Sequence, residues 1–213
     1  MGRPRPVTRR KGTRQPRVRV TVVTEGKSTE PAYLRKFQET YDRDRSVKLT
    51  LVCGAGDPRA VVERAIKEAE KLKGDRLAAQ DSVWAMFDRD AHHRFHEARD
   101  LARGNRIWLA VSDPCFELWG IFHYRDYDAP LHRNRCQRIL EELCSGYSVS
   151  GQKIFDDQEA IAESHLIAVN RARRSVLRRE EEGSPEGNPS TTVHLLTERI
   201  RSHADRFRNE NHR

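Results

Sequence analysis

No stretch of this sequence approaches the roughly 20 consecutive apolar residues a membrane-spanning helix needs, and its first residues lack the apolar core of a secretory signal. The expectation is a cytoplasmic protein with no membrane partner. Cysteine is scarce. Cys53, Cys115, Cys136 and Cys144 form no C-x-x-C pair and hold no ligand-like spacing to histidine. They read as reduced thiols, three of them among apolar neighbours, rather than as a disulfide framework or a structural zinc site. Acidic residues are absent from residues 1–19, where Arg3, Arg5, Arg9, Arg10, Lys11, Arg14, Arg17 and Arg19 stand. That segment therefore accounts for the whole net charge of +8. Too poor in apolar residues to offset the entropy of ordering, residues 1–16 read as a flexible basic arm, in which Arg9, Arg10 and Lys11 are suited to a nucleic-acid backbone.

One further absence bears on function. Gly26-Lys27-Ser28-Thr29 resembles the end of a phosphate-binding P-loop, but the glycine required five residues before Gly26 is Thr21, inside an apolar run. ATP binding at this point is excluded on that ground. Lys27 and its hydroxyl neighbours still stand where a helix start can meet a phosphate.

What is present is a chain of 213 residues, 36% hydrophobic and 34% charged, long enough for one domain with elaborations. Apolar runs at 18–23, 47–52, 82–87 and 106–111 read as strands, and the segments between them carry helical periodicity. Ser28 or Thr29 caps a helix that runs to Tyr41, and Asp57-Pro58 opens another that runs to Gly74. A third helix covers His92 to Arg103, and a fourth follows Ser112-Asp113-Pro114. Strands alternating with helices predict an α/β fold, with a mostly parallel central sheet of about four strands flanked by helices over 17–128. From Ala129 no strand is evident. Helices near 135–143, 156–182 and beyond Ser190 or Thr191 predict a helical C-terminal extension over 129–213, packed on the core. The apolar stripe of the last helix, Val193, Leu196, Ile200, Ala204 and Phe207, suits packing on the body or on a partner, which leaves a homo-oligomer open.

Glu25 follows the first strand, and Asp88-Arg89-Asp90 follows the third. In a parallel sheet those ends can lie side by side, and carboxylates brought together there repel one another unless a hard cation such as magnesium (or manganese) joins them. Glu25, Asp88 and Asp90 are thus the candidate metal ligands and, with Glu117, the candidate catalytic residues. Glu117 sits in an apolar stretch where an unpaired carboxylate is costly, with Lys27, Arg89 or a metal as its expected partner. Lys27 and Arg89 are also candidates for phosphate charge. Accessory candidates are Glu30, Ser112, Asp113, His123 and His194, although local capping explains Ser112, Asp113 and Glu30 as well. His92 and His96 have zinc-helix spacing, but residue 93 is histidine rather than the glutamate such helices carry, so a solvated or phosphate-facing helix is the reading.

Glu25-Gly26 and Asp88-x-Asp90 resemble the Toprim fold of topoisomerases, primases and nucleases of the overcoming-lysogenization-defect family. Glu25-Gly26-x-x-Thr29-Glu30-Pro31-x-Tyr33, Phe87-Asp88-x-Asp90, Ser112-x-Pro114-Cys115-Phe116-Glu117-Leu118-Trp119 with His123, and Asn188-Pro189-Ser190-Thr191-x-Val193-His194 resemble, more specifically, the RloB family. That resemblance implies a Toprim-like nuclease effector of prokaryotic anti-phage defence, with Glu25 as acid/base or ligand and Asp88 and Asp90 as ligands of magnesium. It also implies an ABC/AAA-type ATPase encoded nearby as partner, in an arrangement similar to abortive-infection pairs. Two other classes remain open on the residues: a non-catalytic nucleic-acid-binding or sensor module, and a primase-like nucleotidyl transferase.

Overall fold

The computed structural model describes residues 18–74, 80–89 and 94–211, so the basic arm expected over 1–16, with Arg9, Arg10 and Lys11, lies outside the described residues. Strands β1 (Val18–Thr24), β2 (Val47–Val52), β3 (Ser82–Asp88), β4 (Trp108–Asp113) and β5 (Ser190–Thr191) make one sheet in the order β2-β1-β3-β4-β5. The first three pairings are parallel and the last is antiparallel. Helices α1 (Thr29–Tyr41), α2 (Pro58–Gly74), α3 (Phe95–Gly104), α4 (Glu117–Tyr124), α5 (Arg133–Leu143), α6 (Gln158–Glu181) and α7 (Val193–Asn211) cover it.

Alternation along the strands decides what each face buries. Val23, Val83, Ala85 and Phe87 point to the side of α2 and α3, against residues such as Val61, Ala65, Phe95 and Ala98. Val20, Val22, Trp84 and Met86 point to the other side, against Phe37 of α1, Trp119 of α4, Ile161 of α6 and Ile200 of α7. With helices on both faces, all seven residues of β3 are buried, as expected for a central parallel strand. The stripe of α7 packs on the body: Val193, Leu196, Ile200 and Ala204 are buried. No described helix is long and apolar enough to cross a membrane.

The strand order fixes where a ligand can enter. After β1 the chain steps to β2 on one side, and α2 then carries it back across to β3 on the other. The order of strands therefore reverses between β1 and β3, and a crevice opens at the carboxyl ends of those two strands.

Two features of the sheet differ from the sequence reading. The sheet has five strands rather than four, because Ser190 and Thr191 pair with Asp113 and Ser112 of β4, where caps of the last helix were expected. Thr191 still accepts a hydrogen bond from the Val193 amide through its hydroxyl, at 3.3 Å. β4 begins at Trp108 instead of Arg106, because Arg106 takes a left-handed conformation (φ 58°) in the turn that closes α3. α3 is described from Phe95 onward, so its expected start at His92 lies outside the described residues.

Candidate functional site

β1 and β3 run in parallel with Thr24 opposite Met86, which brings their ends level. The ladder continues one residue further, where the Glu25 amide donates to the Met86 carbonyl at 3.0 Å. The Glu25 side chain then reaches across the strand ends, and its Oε2 accepts the Asp88 amide at 3.2 Å. Asp88 is itself gripped from above. Its Oδ1 accepts the Phe116 amide at 2.9 Å, just before α4, and its Oδ2 accepts from Arg133 in the first turn of α5 at 3.1 Å. Burial first, then the negative fields of Glu117 and Glu30, push the Asp88 carboxyl well above the usual carboxylate range, against the pull of Arg133.

Glu30 belongs to the same cluster. Ser28 occupies the N-cap of α1 without a side-chain cap bond, and Glu30 instead folds back so that its Oε1 accepts the Gly26 amide at 3.2 Å. A Cβ at position 26 would lie 2.5 Å from Glu30 Oε2 and 2.9 Å from Oε1, so the carboxylate occupies the space a side chain would need. Gly26 is therefore required for room, not for its backbone conformation. Burial raises the Glu30 carboxyl, against the hydrogen bonds from its own amide and that of Gly26.

Glu117, the first residue of α4, is 4% exposed. Its partners are neutral: the Tyr147 hydroxyl donates to Oε1 at 2.6 Å, and the Gln137 amide group reaches the same oxygen at 3.4 Å. These stand in place of the expected Lys27 or Arg89. Gln137 also accepts from the Lys153 ammonium at 3.2 Å, and the Lys153 carbonyl accepts the Thr29 hydroxyl at 2.6 Å. The segment 151–154 is thereby tied to the start of α1.

Together these residues line a cleft of about 550 Å³, with Glu25, Glu30, Asp88 and Glu117 as its carboxylates and Lys27, Arg133 and Lys153 as its cations. Among the described residues, no group of three or more His, Cys, Asp or Glu side chains is placed to hold a metal ion. Glu25 and Asp88 remain as two neighbouring hard oxygen donors, and two carboxylates are what magnesium commonly takes from a protein when water and phosphate oxygens complete its shell. The donor chemistry fits that ion; Asp90, expected as the third ligand, lies outside the described residues, as do His92 and His93.

Several sequence candidates stand away from the cleft. Arg89 points to the opposite side of β3, where its guanidinium meets the Glu186 carbonyl, Asp113 at 3.6 Å and the face of Phe95 at 5.1 Å. Ser112 is bonded to the Thr191 hydroxyl at 2.8 Å in the β4–β5 pairing. His123 is buried between the Trp119 carbonyl and Tyr33, and His194 against the Thr191 carbonyl. Burial pushes both imidazoles down to about 4, so they are neutral structural groups. Residues that the sequence reading did not single out do line the cleft: Arg133, Gln137 and Lys153. Arg133 sits in an arginine-rich helix and Lys153 in a loop, and no local spacing marks either one.

A family model described as RloB-like protein matches residues 20–200. No curated protein and no solved structure matches the chain.

Proposed function

The chain belongs to the RloB-like family, and from that premise we propose that it is a magnesium-dependent, Toprim-like nuclease that hydrolyses phosphodiester bonds. The observation that carries this reading is the placement of Glu25 against Asp88 at the point where the strand order reverses, inside a cleft that also holds unlike charges. Glu25, Asp88 and Asp90 would hold the magnesium (or manganese). When bound, that ion supplies positive charge to the scissile phosphate and a nucleophilic water. Arg133 keeps the Asp88 carboxylate oriented, and the Phe116 amide fixes its second oxygen. Glu30 holds the β1–α1 turn that carries Lys27. In the cell the nuclease would act as an effector of anti-phage defence, paired with an ATPase, as its family resemblance implies.

The test is cleavage of end-labelled oligonucleotides by the purified chain with magnesium, with manganese and with EDTA. Cleavage is expected only with the divalent ions, and Asp88→Asn and Glu25→Gln should abolish it while leaving the fold intact. Full activity in either variant, or activity in EDTA, refutes the assignment.

One observation favours a second reading, a non-catalytic module that binds nucleic acid. Each oxygen of Asp88 already has a protein partner, the Phe116 amide for Oδ1 and Arg133 for Oδ2. Under that reading, magnesium leaves the melting temperature unchanged; under the nuclease reading it raises it, and the rise is absent in an Asp88→Asn/Asp90→Asn double variant.

A further inference from the structure

Lys27 and Lys153 are the two lysines that line the carboxylate cleft. Among the described residues, neither ammonium has a carboxylate within 4.0 Å, although both line the carboxylate cleft. Each nevertheless stands on a fixed base. The stem of Lys27 lies over Gly54, where a Cβ would come within 2.7 Å of its Cγ and Cε. Gly54 is in turn bonded to the turn itself, its amide donating to the Gly26 carbonyl at 3.1 Å. Lys153 is anchored by its carbonyl to Thr29 and by its ammonium to the neutral Gln137. Two uncompensated, anchored ammonium groups beside the Asp88–Arg133 pair are suited to anions that arrive in series.

The cleft also limits what can carry those anions. Asp88, Glu117 and Glu30 are 6%, 4% and 7% exposed, so a group that reacts with them has to enter the cleft. A double helix is stiff, with a persistence length of about 50 nm, and displays its phosphates on a convex surface. It cannot fold into a cleft of about 550 Å³, whereas one flexible strand can. Phe116 is the one aromatic side chain among the described lining residues and is 3% exposed, so those residues offer no platform on which bases could stack.

We infer that this cleft takes a single strand of nucleic acid by its sugar-phosphate backbone, with Lys27 and Lys153 on successive phosphates. The inference deepens the nuclease reading and rests on it for what then happens to the strand, but the binding itself is measured without turnover.

The experiment uses the full chain in EDTA, with fluorescein-labelled oligo-dT, oligo-dA and oligo-U strands and a duplex of equal length, read by anisotropy over a salt series. Lys27→Gln and Lys153→Gln are each expected to weaken single-strand binding about 3- to 10-fold. Each should also reduce the slope of log K against log salt by about 0.7, the value of one phosphate contact on a single strand. Oligo-dT and oligo-dA should bind alike, and oligo-U shows whether the 2′-hydroxyl matters. Duplex binding, which the basic residues of 3–19 can supply, should not change in either variant. Unchanged single-strand affinity in the double variant, or an equal loss on duplex, overturns the inference. Wild-type melting temperatures in both variants exclude a folding defect. If strands bind as described but are never cut with magnesium or manganese, the nuclease reading fails and this one stands. If duplex alone is cut, the reverse holds.

Discussion

Replacing Gly26 by alanine tests the packing of the site more sharply than removing any of its charges. The new Cβ would stand 2.5 Å from Glu30 Oε2 and 2.9 Å from Oε1, so the carboxylate has to leave the Gly26 amide that it now accepts at 3.2 Å. Glu30 is buried, and the displaced charge has little solvent to move into. Loss of a hydrogen bond to a buried charge costs about 1.5–3 kcal/mol. Against this, Gly→Ala reduces the entropy of the unfolded chain by about 0.4–1 kcal/mol, because position 26 is not in the left-handed region. The net expectation is a loss of about 1–2 kcal/mol, which for a chain of this size lowers the melting temperature by about 2–8 °C. In a Glu30→Ala background the obstructing carboxylate is gone, so Gly26→Ala should be neutral or slightly stabilising. Urea unfolding of the four variants closes the cycle, with an expected coupling of about 1.5–3 kcal/mol between the two positions. Equal costs of Gly26→Ala in both backgrounds would refute the claim that this glycine makes room for Glu30.

Three other outcomes follow from the same geometry. Tyr147→Phe removes the 2.6 Å donor to buried Glu117 and should cost about 1.5–3 kcal/mol by urea unfolding, and much less in a Glu117→Gln background. Gly54→Ala both strains a φ of 73° and displaces the Lys27 stem, whereas Gly56→Ala strains a φ of 97° with its nearest neighbour 3.9 Å away. Both should lose about 1–2 kcal/mol of stability, but only Gly54→Ala should also weaken single-strand binding. Finally, burial pushes His165 down to about 3 and His123 and His194 down to about 4, so all three are neutral in the fold and take up protons near 6.5 when unfolded. Their folded values lie below the unfolded one, so stability is complete above about pH 6.5 and falls as pH drops toward 4, by about 2 kcal/mol per histidine between pH 7 and pH 5. A melting temperature that does not change over that interval would contradict this, and His165→Asn should flatten the slope.

The meeting of Glu25 and Asp88 at neighbouring strand ends was legible because the signals behind it are local: apolar runs alternating with helical segments, and a carboxylate at the end of the first run and of the third. The same rule of alternation that aims Asp88 into the cleft sends Arg89 to the other face, toward Phe95 and α3. Arg89 therefore stands away from the cleft where a phosphate would enter. In the sequence Ser190 and Thr191 look like helix caps because a two-residue strand has no periodicity to detect, and only its partner β4 makes it a strand. Arg133 and Tyr147 were not legible at all. They meet Asp88 and Glu117 across separations of 45 and 30 residues, and nothing in their own neighbourhoods distinguishes them from surface arginines or packed tyrosines.

These long-range contacts also change what the helical extension is for. Read from the sequence, residues 129–213 wrap a complete α/β core. Asp88 and Glu117, however, are buried acids whose compensating groups come from that extension: Arg133 for Asp88, Tyr147 and Gln137 for Glu117. Buried carboxylates without partners are costly enough to neutralise themselves or to open the structure around them. The carboxylate floor is therefore stable only where the extension covers it, and the covering that stabilises it is also what narrows the cleft and places Lys153 beside it. Core and extension are one unit with respect to the site, and the depth that selects what can enter is a consequence of the need to bury and compensate the same acids.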